Sequence, residues 1–299
     1  MNTSMMTDLE NALKVVKNTN DMIKKGIYII CCIIMVSCNK PTSFIDSKLQ
    51  TKVDSILQNK ISEINAVSGQ IIIRDIQSGE IKAMVGNGNK QPSTLIRLIS
   101  ILAALETDKV KLSDSIDTDS GIYLVNGDTL KDHNWHRGGY GKITLEQGIM
   151  VGSNIATYKA VEKAFDNEQA YYDLMSDSIT YTDKNLMLNS IGYELEVTPL
   201  QMLNIYNDAI KNDSLKVAFR KTVTEGLGKQ ANSDKVQVAG VPATTIINDS
   251  IYAVEFVGYF PVDEPKYSII VSMNKKGLPA SGGLMAGSVF KDIVDCIIE

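Results

Sequence analysis

The chain has little of what disulfide frameworks, metal centres and nucleic-acid surfaces are built from. Among 299 residues there are four cysteines, two histidines and one tryptophan. Cys31 and Cys32 lie in an apolar run near the amino terminus and Cys38 follows it, which leaves Cys296 by itself in the apolar stretch Val289 to Ile298. A lone cysteine there reads as a small buried hydrophobe, and with no framework of pairs, stability must come from the core. The net charge is −5 and no block of lysine and arginine occurs. That excludes nucleic acid as a partner, because phosphate binding needs clustered cations. No glycine-rich phosphate loop or other cofactor signature is present, so no cofactor is expected. Long apolar runs are also missing: Gly26 to Val36 has eleven residues, against the ~20 a membrane-spanning helix needs. What remains is 44% apolar and 22% charged, an ordinary globular composition, long enough for one large or two small domains.

The amino terminus reads as an address. Lys24-Lys25, the apolar run and then Ser37-Cys38 have the order of a secretory signal, basic region first and small-residue cleavage site last. The segment resembles a lipoprotein signal in which Cys38 would be acylated, with Met35 an imperfect residue for that motif. Residues 1–37 are thus expected to be the signal region, with Met22 a possible true start, and residues 38–44 a tether. Simple cleavage or an uncleaved anchor is the alternative.

From residue 45 the periodicity changes to that of a folded domain, expected to span 45–299. Ile45, Leu49, Val53, Ile56, Leu57, Ile61 and Ile64 recur at helical spacing. Gln70 to Ile76 and Glu80 to Val85 are β-rich runs joined by Gln77-Ser78-Gly79, a hairpin pattern. Helices are expected over Thr94 to Glu106, Thr144 to Met150 behind a Thr-x-x-Gln capping box, Asn154 to Phe165, Glu168 to Met175, and Thr198 to Asn212 with Pro199 in its first turn. Strands are expected over Val236 to Ala239, Tyr252 to Phe260 and Tyr267 to Met273, and a last helix over Leu284 to Ile298. The order strand-strand, helices, three strands, helix predicts an α+β fold. Its elements are one five-stranded antiparallel sheet flanked by helices and an inserted all-helical subdomain.

Asn89 to Glu106, NKQPSTLIRLISILAALE, resembles the segment that carries the nucleophile of penicillin-binding protein transpeptidase domains, where Pro-Gly-Ser-Thr-x-Lys opens a long helix. The resemblance covers nearly all of 45–299. Gly69 onward, GQIIIRDIQSGEIKAMVG, is similar to that family's first hairpin; Gly141 onward, GKITLEQGIMVGSNIA, to the approach to its Ser-x-Asn motif; and Ser190 onward, SIGYELEVTPLQMLNIY, to its Gly-Gln-Gly and Thr-Pro-Leu-Gln region. The resemblance implies the fold of the penicillin-binding transpeptidases and β-lactamases. It also implies a cell-envelope location facing the periplasm, and peptidoglycan peptides or β-lactams as ligands.

The same alignment shows three catalytic motifs altered. Thr94 falls on the serine position and Arg97 on the lysine position. A guanidinium with pKa above 12 neither accepts nor shuttles a proton, and the β-branch of threonine crowds attack. Taking Ser93 as nucleophile would put Ile96 at the base position. In the second motif Gly152 replaces the serine while Asn154 remains, and Ser153-Asn154 is also an ordinary helix cap. In the third, Lys-Thr-Gly-Thr becomes Val241-Pro242-Ala243-Thr244, so the lysine's positive charge is lost. Pro242 is tolerable only on an edge strand. Backbone oxyanion donors at Thr94 and Thr244 need no particular side chain and are expected to survive.

The resulting expectation is a degenerate transpeptidase-like protein whose residues Gly152, Ser153, Val241 and Thr244 line a binding cleft. It would hold peptidoglycan peptide, a β-lactam or a cell-envelope protein partner and reach the membrane through a lipid anchor at Cys38. The alternative is a working serine-type D,D-transpeptidase, or a penicillin-acylated protein. A third class, a metal-dependent hydrolase, would be built on Asp132, His133 and His136, but a loop anchored by Trp135 is the simpler reading of those residues, and no metal is expected.

Overall fold

A computed structural model describes residues 45–175 and 179–299. The signal region, Cys38 and the tether lie outside the described residues, and among these no helix is long and apolar enough to cross a membrane. The described residues belong to one compact unit.

Asp46 caps α1 (Ser47–Ile64), its carboxylate accepting the Lys48 and Leu49 N–H groups at 3.0 Å, and Val53 and Leu57 are fully buried along its inner stripe. The hairpin follows as β1 (Ala66–Asp75) and β2 (Ile81–Gly86). After the insert, β9 (Ala239–Asn248), β10 (Ile251–Phe260) and β11 (Tyr267–Lys276) complete one antiparallel sheet of order β2-β1-β11-β10-β9, and α9 (Gly287–Ile298) closes the chain behind the π-helical turn Gly282–Ala286. The three central strands carry nearly continuous apolar runs because both faces are covered. Ile71, Ile73, Phe256 and Val271 join α1 and α9 in one core, and Ile72, Val257 and Ile270 join the insert in the other.

The insert contains β3 (Ser115–Asp117), β4 (Ile122–Val125), β5 (Asp128–Lys131), β6 (Lys142–Thr144), β7 (Thr180–Tyr181) and β8 (Leu195–Glu196). They pair as three short ladders that the sequence reading did not include. Its helices are α2 (Arg97–Glu106), α3 (Leu145–Val151), α4 (Asn154–Ala164), α5 (Glu168–Met175), α6 (Leu186–Ser190), α7 (Pro199–Ala209) and α8 (Asp213–Thr224). Capping boxes at Thr144/Gln147 and Thr198/Gln201 start α3 and α7 as expected.

Four local expectations are corrected. The helix expected from Thr94 starts as a 3-10 turn, Thr94–Ile96, which Ser93 caps, and becomes α-helical at Arg97. The helix expected to Asn212 stops at Ala209, and Asn212 instead caps α8, whose Leu215, Ala218, Phe219, Thr222 and Val223 are buried at helical spacing that was legible in the sequence. The strand expected at Val236 begins at Ala239; the segment before it is held by loop contacts, including the Arg220 guanidinium donating to the Val238 carbonyl at 2.9 Å. Cys296 is half-buried rather than fully enclosed.

Candidate active-site cleft

Three segments converge where the edge strand β9 meets the insert: the 3-10 turn ahead of α2, the turn between α3 and α4, and the Val241–Thr244 stretch. Thr94, Arg97, Gly152, Val241 and Pro242 line a common cavity of about 20 Å³. A cavity needs about 10–15 Å³ to hold one water, so the residues singled out by motif position meet in space and leave little room between them. Pro242 sits on the edge strand, where its missing N–H interrupts no ladder.

Arg97 occupies the middle of this cleft. Its Nη1 donates to Asn154 Oδ1 at 2.8 Å, and Asn154 Nδ2 donates to the Lys131 carbonyl at 3.0 Å, so the amide is fixed at both ends. Gly152 ends α3 in the left-handed conformation, φ 62°, and a Cβ there would lie 3.1 Å from Arg97 Nη2. The guanidinium therefore stands over the glycine, in the space a serine side chain would enter. Burial lowers its pKa from the ordinary value, opposed by Tyr193, Asp132 and Tyr140, but a guanidinium stays protonated in proteins.

Thr94 is 2% exposed. Its N–H donates to Thr245 Oγ1 at 2.8 Å, the Thr245 hydroxyl donates to Thr94 Oγ1 at 3.2 Å, and Thr94 Oγ1 donates to the Thr244 carbonyl at 3.4 Å. The expectation that this N–H remains a free oxyanion donor is thus corrected: a threonine hydroxyl already takes it. Thr245 escaped sequence reading, its one signal being the Thr244-Thr245 pair. Thr244 itself is exposed and its hydroxyl accepts the Gly282 N–H at 2.9 Å.

Ser153 faces away from the cleft. It is fully buried, caps α4 through the Ala156 N–H at 3.0 Å and donates to Asp132 Oδ2 at 2.8 Å, while Asp132 Oδ1 accepts the Ile155 N–H at 3.1 Å. Asp132, completely buried and with its pKa raised by burial, has both oxygens committed to holding this turn. His133 instead lies against Tyr140, Nε2 to Oη 3.1 Å, and His136 stands edge-on to Trp135 with centroids 6.0 Å apart. The candidate metal trio is divided among three local contacts, and among the described residues no group of three His, Cys, Asp or Glu is placed to hold a metal.

Beneath Thr94 lies a group the sequence reading missed. Ser93, only 1% exposed, donates to Glu255 Oε2 at 2.6 Å, and Ser272 donates to Glu255 Oε1 at 2.9 Å. The signal was available: Glu255 is the one charge in the apolar run Ala253 to Phe260. The trio bolts the start of α2 to β10 and β11. Burial raises the Glu255 pKa, with the two serine hydrogen bonds opposing. A carboxyl whose folded pKa lies above its unfolded value, about 4.3, contributes stability that is full below that value and lost as pH rises through the folded pKa. The amide in Glu255→Gln is always neutral, so the variant should gain stability relative to the parent between pH 4.5 and pH 8. Urea midpoints of both proteins at the two pH values check this, and an unchanging gap would rule it out.

A helix start presenting a hydroxyl residue, a helix-to-helix turn ending in asparagine and an edge strand thus make up the site. The model of the penicillin binding protein transpeptidase domain matches residues 69–295; the chain belongs to this family. It is 22% identical over 338 residues to the stage V sporulation protein D of Bacillus subtilis (84% of this chain, 52% of that protein), and 23% identical over 328 residues to a probable peptidoglycan D,D-transpeptidase, PenA, of Neisseria flavescens (84% and 80%). The chain thus spans about half the length of the Bacillus relative. Among solved structures, the transpeptidase domain of Burkholderia pseudomallei penicillin-binding protein 3 superposes with TM-score 0.73 at 19% identity, covering 85% of this chain and 94% of that one. A peptidoglycan glycosyltransferase of Burkholderia ambifaria gives 0.74 at 19% identity, with 85% and 96% covered. At these identities the structural likeness speaks for the fold.

Proposed function

We propose that this protein is a non-acylating member of the transpeptidase family, a binding protein of the bacterial cell envelope that holds peptidoglycan peptide without turning it over. One observation carries the reading: the Arg97 guanidinium, hydrogen-bonded to Asn154, fills the place where a base and a serine would exchange a proton. Acyl transfer from serine needs a base within reach of the hydroxyl and donors free for the oxyanion. Here the hydroxyl is the buried one of Thr94, its N–H is taken by Thr245, and the neighbouring cation cannot accept a proton. The signal reading of residues 1–37 and Cys38 supports a lipid-tethered, periplasm-facing location. The names of the relatives, peptidoglycan D,D-transpeptidases among them, support peptidoglycan as the setting.

The full chain incubated with a fluorescent penicillin is expected to show no covalent label on a denaturing gel and no mass increase. A label that disappears in Thr94→Ala would overturn the proposal in favour of a working penicillin-acylated enzyme.

A further inference from the structure

The hairpin β4–β5 stands on the insert as a ribbon with one face covered and one bare. Its connection, Asn126-Gly127, has φ 51° and 96°, the left-handed pair that a two-residue hairpin turn needs. The register sets Tyr123 opposite Leu130, Ile122 opposite Lys131 and Leu124 opposite Thr129. Side chains alternate along a strand, so Tyr123 and Leu130 share one face. That face is docked: Leu130 is buried, the Tyr123 ring meets Tyr158 of α4, and Lys159 Nζ lies 4.2 Å over the Tyr123 ring. The other face carries Ile122, Leu124, Thr129 and Lys131. Leu124 is 70% exposed, and Lys131 reaches over Trp135 of the following loop, its Nζ 4.4 Å from the ring centroid. Trp135 itself is 44% exposed.

In a chain of net charge −5, this apolar face is bordered by cations. Lys131, His136 and Arg137 are exposed, and no ion pair among the described residues includes them. The two acids of residues 122–137 point elsewhere. Asp132 is buried with its oxygens on Ser153 and Ile155. Asp128, opposite Val125, belongs to the covered face, where its charge adds to burial and Asp183 in raising the Glu194 pKa. Burial lowers the pKa of His133 in the same loop, and against the pull of Asp132 the charges of Arg97, Arg137 and His136 lower it further.

An exposed leucine and tryptophan rimmed by lysine and arginine suit an anionic bilayer: ring and alkyl groups enter the headgroup layer while the cations pair with lipid phosphates. A tether over residues 38–44 reaches at most about 25 Å, which keeps the domain beside the bilayer. Resting on the lipid-tethered reading of the proposed function, we infer that the bare face of β4–β5 and Trp135 form a membrane-docking surface, which sets Leu124 and Trp135 into the headgroup region of an anionic leaflet. Lys131 serves twice, as a charge facing the lipid and as the cation that holds the Trp135 ring. Its carbonyl also anchors Asn154 of the cleft, so docking brings the mouth of the cleft to the lipid surface.

The test mixes the full chain with vesicles of phosphatidylcholine, alone or with phosphatidylglycerol. Trp135 is the one tryptophan of the chain, so its emission reports on this face whichever part of the chain holds the bilayer. With phosphatidylglycerol present, the emission is expected to move to shorter wavelength and brominated acyl chains to quench it about twofold or more. On phosphatidylcholine alone neither change is expected. Leu124→Glu, and separately Lys131→Gln combined with Arg137→Gln, should abolish the quenching. Trp135 unquenched on phosphatidylglycerol vesicles would overturn the inference, and if those vesicles still sediment with the chain, the tethered reading survives it. Equal quenching on neutral and anionic vesicles, or quenching that persists in Leu124→Glu, would also overturn it. So would the same blue shift with soluble dextran sulfate, which would assign the cations to an anionic polymer. The vesicle comparison on the unaltered protein stands even if a variant fails to fold. A covalent penicillin adduct would sink the non-acylating reading and leave this surface untouched.

Discussion

Gly192→Ala is expected to cost about 4 kcal/mol or more, a large part of the ~5–15 kcal/mol that holds a domain together. Gly192 has φ 95°, and a Cβ built on it would lie 2.0 Å from the Ser93 carbonyl oxygen and 2.8 Å from Thr94 Cα. Those atoms are backbone and cannot rotate aside. Moving them would pull Ser93 from Glu255 and the Thr94 N–H from Thr245, both buried bonds, each costing about 1–3 kcal/mol when broken. The left-handed backbone adds strain of about 1–3 kcal/mol. Gly138→Ala isolates that last contribution, because Gly138 has nearly the same φ, 94°, with nothing within 4 Å of the added carbon. It should cost only about 1–2 kcal/mol. Urea denaturation of both variants gives the comparison, and equal losses would show that the Gly192 loop simply yields.

Phe256→Ala should cost about 3–5 kcal/mol, toward the upper end of large-to-small core changes. The ring is fully buried in β10 and packs on Phe290 of α9 with centroids 4.8 Å apart. Its other sides are met by backbone at glycines: added carbons at Gly240, Gly228 and Gly287 would lie 2.6, 3.4 and 3.5 Å from it. Main chain already drawn against the ring cannot close further around the void, and a cavity that does not collapse carries the full penalty. A shift of the denaturation midpoint equivalent to less than ~2 kcal/mol would mean that the sheet relaxes into the space.

Much of this architecture was readable from local spacing. Thr144 and Gln147, or Thr198 and Gln201, are three residues apart, and their capping boxes close within a single helical turn whatever the rest of the chain does. The β-rich runs Gln70–Ile76 and Tyr252–Phe260 announced strands, and the structure buries both faces of their central residues. α7 was read three residues too far, to Asn212, and α8 was not read at all, although Leu215, Ala218, Phe219, Thr222 and Val223 recur at helical spacing. Thr94, Arg97, Gly152 and Val241 were singled out by motif position, and the fold brings all four to one cavity. Ser153 was named as a binding residue and as a helix cap, and its buried hydroxyl serves the cap. Thr245 and Glu255 went unnoticed, since neither stands at a motif position and both act on residues far away in the chain.

The amino-acid sequence by itself determined the strands of the main sheet, most of the longer helices and the likeness to the family, because periodicity, capping and side-chain chemistry are properties of neighbouring residues. Only the tertiary structure decided which distant residues meet. It laid the Arg97 guanidinium over Gly152 and onto Asn154, gave the Thr94 N–H to a threonine 151 residues away, and set Ser93 on a buried glutamate. Such contacts depend on how the insert packs against the edge of the sheet, which no local stretch of sequence specifies.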